Sequence, residues 1–323
     1  MSQTLQLGNI TFPGNLIQGP LAGVSCAPFR YLTWKYGQPA FSCTEMISCK
    51  TLIFTPKASH QRFVVKHPEE GRVCFQLSGS NPTEVGEAVK IVTGYGADLI
   101  DLNCGCPVKK IRSKGAGSSL LTNPSQLYTL IRAMKENTHV PVSVKIRVEG
   151  GSGDQFNLEV ANAVQDAGAD FLIVHGRHWT EHYETPCNHE EIRFFVEHMN
   201  IPVIGNGDIA DLASYQKMLA TGCAGVMIAR AGVGQPWLTK QLVAELKGEV
   251  FIPPSLTERA AMFIDHAMQL AELLENEKFA ILQARKIAKY YARGLEHRMA
   301  FCDEINRCVD LEEFTKICLN YFM

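Results

Sequence analysis

The chain has 323 residues, 46% hydrophobic and 20% charged, the balance of an ordinary globular protein rather than a disordered or fibrous one. Lys and Arg number 31 against 33 Asp and Glu, so the formal net charge is −2 and nucleic-acid binding through bulk charge is excluded; such binding would have to rest on local patches. No apolar run approaches the roughly 18 residues of a membrane span, and the eleven cysteines form no CxxC pair, which points to free thiols in a reducing, cytoplasmic setting.

Residues 1–16 lack a basic start and an apolar core, so no signal peptide is expected. Residues 5–12 alternate around Gly8-Asn9, the pattern of a small hairpin. Eight short strand candidates then follow at 16–20, 41–46, 73–77, 99–103, 142–147, 171–175, 201–205 and 225–229. Helical spacing lies between them. Asn81-Pro82 and Asn123-Pro124 open helices running to Thr93 and Lys135, with proline at the first helical position. Segments 155–167, 189–199, 210–220 and 235–247 carry the same period. Gly96, Gly168 and Gly222 stop helices just before buried parallel strands. Eight βα units in about 240 residues fit a (β/α)8 TIM barrel. A doubly wound sheet is the structural alternative, and the count of eight argues against it.

At the end of the fourth strand stands Asn103-Cys104-Gly105-Cys106-Pro107, where the proline has no N–H to extend a ladder. Next comes a cationic loop with Lys109, Lys110, Arg112 and Lys114, suited to a substrate carried on a polyanion. Taken alone, Cys106 is more simply one small buried hydrophobe. Its company argues otherwise: Pro20, Gln76, Asn103, Cys106, Lys145, Arg147, His175, Asn206, Asp208 and Arg230 all fall at or just beyond carboxyl ends of strands. In a TIM barrel that rim carries the chemistry. The loops after strands seven and eight, Asn206-Gly207-Asp208 and Ala229-Arg230-Ala231-Gly232, occupy the customary phosphate position. With no GxGxxG and no GxxxxGK[ST], a mononucleotide such as FMN is favoured over NAD or ATP. Cys104 beside Cys106 has no His or Cys partner at metal-ligand spacing, and no metal is expected.

After Pro253-Pro254 the strand signal ends. Residues 1–246 are read as the barrel, 247–256 as a linker and 257–323 as a small C-terminal all-α domain with helices at 257–275, 278–298 and 310–321. On the middle helix Arg285, Lys289, Arg293 and His297 recur at i+4, apart from the apolar stripe of Ile281, Ala284, Ala288, Tyr291 and Leu295. A solvated charged face is the plain explanation; beside the cationic loop, an RNA-binding surface is the other.

The pieces Gly19-Pro20-Leu21-Ala22-Gly23, 76–80, 101–110, 144–147, His175-Gly176-Arg177, 205–208 and 228–230 occur in the order of the bacterial tRNA-dihydrouridine synthases, which the chain resembles over about residues 15–240; the helical tail is similar to that family's tRNA-binding domain. The resemblance implies an FMN enzyme that uses NADPH to reduce uridines in tRNA to dihydrouridine, with hydride delivered to C6 and a proton to C5. It assigns the proton to Cys106, since an ordinary thiol of pKa about 8.5 is mostly protonated at neutral pH. FMN would be held by Pro20, Leu21, Ala22, Gln76, Lys145, His175, Asn206, Gly207, Asp208, Ala229 and Arg230. Asn103 and Arg147 would face the uracil, and Lys109, Lys110, Arg112, Arg285, Lys289 and Arg293 would meet the tRNA. The implied enzyme is a monomer, with neither DNA nor a membrane as partner. Residues 178–188 depart from the family's usual run, which bears on uridine selection. A dihydroorotate-dehydrogenase-like oxidoreductase of free pyrimidines, or a non-catalytic RNA-binding protein, is the competing function.

Overall fold

A computed structural model describes residues 4–149 and 154–323. The first three residues of the segment read for a leader lie outside that range. β1 (Leu5–Leu7) and β2 (Ile10–Phe12) pair antiparallel with Leu7 opposite Ile10, leaving Gly8-Asn9 as a two-residue turn. The following strands are β3 (Leu16–Gln18), β4 (Ser42–Cys43), β5 (Ile47–Ser48), β6 (Val73–Ser78), β7 (Leu99–Cys104), β8 (Val142–Arg147), β9 (Phe171–His175), β10 (Val203–Asn206) and β11 (Gly225–Ile228). All pair in parallel, and β11 returns to β3, so the sheet closes into an eight-stranded barrel. This is the TIM barrel expected from the spacing.

The second strand differs from the expected single run over 41–46. Between the pairs Cys43↔Cys74 and Ile47↔Leu77 there are four steps on one chain and three on the other, a bulge of one residue. Thr44 and Glu45 leave the ladder there. The Thr44 hydroxyl accepts the Gln76 N–H at 3.0 Å, and the Glu45 carboxylate accepts the N–H of Gly23 at 2.5 Å.

Helices cover the outside: α1 (Ala27–Gly37), α2 (Cys49–Phe54), α3 (Lys57–Val64), α4 (Pro82–Gly94), the short α5 (Lys109–Arg112), α6 (Pro124–Lys135), α7 (Asp154–Asp166), α8 (His189–His198), α9 (Leu212–Leu219) and α10 (Leu238–Leu246). Asn81 and Asn123 cap α4 and α6 by accepting the N–H of Glu84 and Gln126, at 3.1 Å each. The first three helices carried no signal that the sequence reading used. Outward-facing Ile100, Leu102, Val142, Val144, Leu172 and Val174 pack under these helices, whereas Phe171, Ile173, Ile204 and Met227 point into the barrel. The hairpin residues Leu5, Leu7 and Phe12 join the inner cluster, with the Phe12 and Phe41 rings 5.6 Å apart. The hairpin therefore belongs to the end of the barrel away from the carboxyl rim.

Four helices form the tail: α11 (Leu256–Leu274), α12 (Glu277–Tyr291), α13 (Arg298–Arg307) and α14 (Leu311–Phe322). Ser255 and Glu258 form a reciprocal capping box at the start of α11. The Phe263 ring stacks on Tyr291 at 4.4 Å and meets Phe314 edge-on at 4.9 Å. This core is continuous with Cys26 and Phe29 near and on α1, and with Val233 and Trp237 after β11. The expected helix 278–298 stops at Tyr291. Gly294 adopts φ +79°, a left-handed conformation that closes the turn, and α13 starts afresh at Arg298.

Candidate active site

Strand alternation builds the site. On β6, β7 and β8 the residues Gln76, Asp101, Asn103, Ser143, Lys145 and Arg147 take the alternate positions to the apolar outward ones, so they face the barrel interior. Four of them, Ser143, Asp101, Gln76 and Asn103, form one hydrogen-bonded chain. The Asp101 carboxylate accepts from Ser143 Oγ and Gln76 Nε2, both at 2.7 Å. Gln76 Oε1 accepts from Asn103 Nδ2 at 2.9 Å, and Asn103 Oδ1 accepts the backbone N–H of Cys106 at 3.0 Å. A fully buried carboxylate thus fixes the orientation of two amides and, through them, the backbone of the loop that carries the thiol.

Burial raises the Asp101 carboxyl to about 6, although Ser143, Gln76 and Lys145 all favour its charged form. Burial lowers the Lys145 ammonium to about 8; Asp101 opposes that fall and Arg147 adds to it. Lys145 Nζ donates to Asn206 Oδ1 at 2.8 Å, and Asn206 Nδ2 donates to the Met227 carbonyl at 2.9 Å. Burial, then the cations Lys145, Arg147, Arg177 and Arg230, lower His175 to about 2, so the ring is neutral. Arg177, an obligate donor, directs NH1 at His175 Nε2 at 3.2 Å, which leaves the ring proton on Nδ1.

Lys145, His175, Arg177, Asn206 and Arg230 line a cavity of about 450 Å³ on the carboxyl rim, within the range of about 300–1,000 Å³ common for cofactor sites. Its walls include Pro20, Leu21, Lys145, His175, Asn206, Gly207, Asp208, Ala229 and Arg230. Asp208 is held at φ +54° and accepts from Arg177 at 2.5 Å and from Arg230 at 3.4 Å. The Arg230 guanidinium lies 4.0 Å from the centre of the half-exposed Tyr183 ring.

Cys106 sits beyond β7, partly exposed, with its carbonyl accepting from Ser118 N–H at 3.0 Å and Ser118 Oγ at 3.1 Å. Its thiol is near enough to Arg147 to act on that cation's charge. Cys104, two residues earlier, points outward into the apolar layer, and burial holds its thiol well above the ordinary range. Only Cys106 and Cys302 among the eleven cysteines are not buried.

The remaining sequence assignments divide. Ala22 is exposed on a turn and Gln76 is directed at Asp101 and Asn103, so neither lines the cavity. Arg147 does face the rim, but its NH1 donates to the His178 carbonyl at 2.8 Å, tying the divergent 178–188 loop to β8. Lys109 and Lys110 are exposed, as a polyanion contact requires. Arg112 is not free beside them. Its guanidinium lies over the Trp179 ring, 3.2 Å from the centroid, and ties the thiol loop to the divergent loop. The basic stripe of the tail also needs correction, because the helix that would have aligned it ends at Tyr291. Arg285 donates to the Cys308 carbonyl at 2.7 Å, and Arg293 to the carbonyls of Ala231 and Arg230 at 3.1 and 3.4 Å. Of the three, Lys289 alone is exposed.

The sequence reading did not assign Asp101, Arg177, Tyr290 or Arg293 to the cofactor cavity or its support. Strand parity could have found Asp101, which shares a face with Asn103. Arg177 follows the strand-end His175. Nothing local marks Tyr290 and Arg293, which reach the cavity from another part of the fold. Among the described residues no group of three or more His, Cys, Asp or Glu could hold a metal ion, and no helix is long and apolar enough to cross a membrane.

A family model described as dihydrouridine synthase (Dus) matches residues 17–322. A curated relative in Pasteurella multocida, tRNA-dihydrouridine synthase B, is 30% identical over 311 residues, covering 96% of this chain and 93% of its own. A second, the probable tRNA-dihydrouridine synthase 1 of Synechocystis, is 32% identical over 314 residues, covering 97% and 87%. Among solved structures, a morphinone reductase variant in complex with tetrahydroNAD is similar in fold, with a TM-score of 0.58 at 13% identity, over 80% of this chain and 94% of that one.

Proposed function

The chain belongs to the dihydrouridine synthase family, and on that premise we propose that it reduces uridines in tRNA to 5,6-dihydrouridine, with FMN in the rim cavity and NADPH as reductant. The observation that carries this reading is the placement of Lys145, His175, Asn206 and Arg230 around one cavity of about 450 Å³, next to a partly exposed thiol held by its own loop. The donor set fits a flavin mononucleotide: a buried ammonium and neutral histidine at the inner wall, and cationic Arg230 on the loop after β11. Held there, FMN would supply hydride chemistry for the reduction of the uracil ring at C6.

The chain's own residues do the rest. Cys106 holds the proton that its Sγ gives to C5 as charge develops on the adjacent enolate. Asn103 aligns the backbone of that residue through the bond to Cys106 N–H. Arg147, braced on the His178 carbonyl, keeps positive charge near the thiol, where it favours an anion developing at the reacting base. Tyr183, half-exposed at the cavity wall, offers a flat apolar face to a planar ring. A stacked uridine cannot reach this rim inside folded tRNA, so it enters flipped out. Lys109 and Lys110 beside the thiol loop and Lys289 on α12 are the exposed cations for phosphate. The family match running through all four tail helices to residue 322 supports a tRNA substrate over a free pyrimidine.

The test is direct. Flavin-loaded protein, NADPH and unmodified tRNA are incubated together and the nucleosides are analysed by mass spectrometry. Dihydrouridine should accumulate with NADPH consumption; NADPH oxidation without any dihydrouridine refutes the reading.

A further inference from the structure

Arg293 is a tail residue that lines the barrel cavity, together with its neighbour Tyr290. The tail reaches there by direct backbone contact. Gly234, on the segment after β11, has φ +72°, and a Cβ built on it would collide with the carbonyl carbon of Tyr290. Any side chain at position 234 would push the end of α12 away from the loop. Arg293 itself is clamped from both sides. Its NH1 and NH2 donate to the carbonyls of Ala231 and Arg230, and its own carbonyl accepts from Arg259, which also holds the Tyr291 carbonyl at 2.5 Å.

The charge pattern gives this clamp a purpose. Asp208 is shared by Arg177 and Arg230, so one carboxylate already faces two guanidiniums. Arg293's hydrogen bonds go to neutral carbonyls and its guanidinium lies 5.2 Å from the Tyr290 ring centre, so among the described residues no carboxylate pairs with its charge. A guanidinium carries five N–H donors, and two of these are engaged. A structural brace for two carbonyls would not need a cation at the wall of a cavity; an anion would.

We propose that the helical tail completes the cofactor site, with Arg293 supplying a second cation beside Arg230 for the phosphate of the bound mononucleotide. This rests on the flavin reading given above. It also means that one segment of chain, just after α12, touches the cofactor while Lys289, one helical turn back, faces the surface assigned to tRNA.

The experiment compares FMN with riboflavin, which lacks the phosphate. Full-length apoprotein, stripped of flavin, is titrated with each ligand by flavin fluorescence for wild type, Arg293→Gln and Arg293→Lys. Removing a charge-assisted hydrogen bond to phosphate weakens FMN by about tenfold or more in Arg293→Gln and leaves riboflavin within about twofold. Arg293→Lys keeps the cation and should keep most of the preference for FMN, which covers the case in which the glutamine variant does not fold. Equal weakening of both ligands in either variant would mean that Arg293 only braces the loop, and unchanged FMN affinity in Arg293→Gln would mean it does nothing at the site; each overturns the proposal while the flavin reading stands. Wild-type apoprotein that binds no FMN removes the proposal together with the reading beneath it.

Discussion

Asp101→Asn isolates the buried charge from the hydrogen bonds around it. The asparagine oxygen can still accept from Gln76 Nε2, and its NH2 can face Ser143 Oγ, whose hydroxyl turns to accept; the chain to Asn103 and Cys106 then survives. The charge is what disappears. In the folded protein the carboxyl is raised from 3.8 to about 6 by burial. At about 1.4 kcal/mol per pH unit, the ionised form therefore carries a penalty of about 3 kcal/mol in the folded state. The sign follows from proton binding. Between 3.8 and about 6 the folded state holds more protons than the unfolded one, so wild-type stability falls as pH rises through that window and levels off above it. The asparagine variant has no such slope at this site. Urea unfolding of both proteins at pH 4.5 and pH 7 should show their difference moving by about 2 kcal/mol in favour of the variant. Uridine reduction at pH 7 should stay within about threefold of wild type, whereas Asp101→Leu, which strips both acceptors, should lose about tenfold or more. A stability difference that does not change between pH 4.5 and pH 7 refutes the buried, desolvated carboxylate. An active Asp101→Leu protein refutes the chain to Cys106.

The other outcomes are more direct. Cys106→Ala should retain flavin and NADPH oxidation while dihydrouridine formation falls by about 10²-fold or more, and Cys104→Ala should keep most activity; the reverse pattern in nucleoside analysis ends the assignment of the acid. Lys145 loses its proton as pH rises through about 8, so FMN affinity should decline above that pH in wild type and lose this step in Lys145→Met, as read by fluorescence titration from pH 6.5 to 9.5. Neutralising Lys109, Lys110 and Lys289 together should weaken tRNA binding and reduce its salt slope by about 0.7–0.9 for each phosphate that no longer meets a cation. Arg285→Gln, which removes the donor from the Cys308 carbonyl, should lower thermal stability and leave that slope alone.

The barrel was legible because each of its strands is an apolar run ended by glycine or a polar residue, and eight of them recur at βα spacing. The rim was legible for the same reason: a residue at a strand's carboxyl end has its position fixed by topology, so Lys145, His175 and Asn206 could be placed together without knowing any contact. The bulge in the second strand was hidden, since it arises from Thr44 and Glu45 bonding to Gln76 and Gly23, partners distant in the chain. The tail was misread at the end of α12. Counting i+4 past Tyr291 assigned Arg285, Lys289 and Arg293 to one face, and the helix ends before the third of them. Gln76 was given a cofactor contact by the family resemblance, and the two neighbours that take both ends of its amide only become visible when strands are laid side by side.

The shared core under the tail bears on how the molecule comes apart. Cys26, Phe29, Val233 and Trp237 of the barrel part lie in the same apolar cluster as Phe263, Ile281, Tyr291 and Phe314 of the tail. The connecting chain looks severable, since Val250 and Ile252 are 91% and 84% exposed. Cutting the backbone there would break a covalent link and leave the core packing whole. The two fragments should remain together after limited proteolysis and melt in one transition, because neither can leave without exposing apolar surface that the other covers. Expressed separately, each would carry half of a core. The exposed connector at 247–255 is therefore a place where the chain can be opened, and a poor place at which to divide the protein.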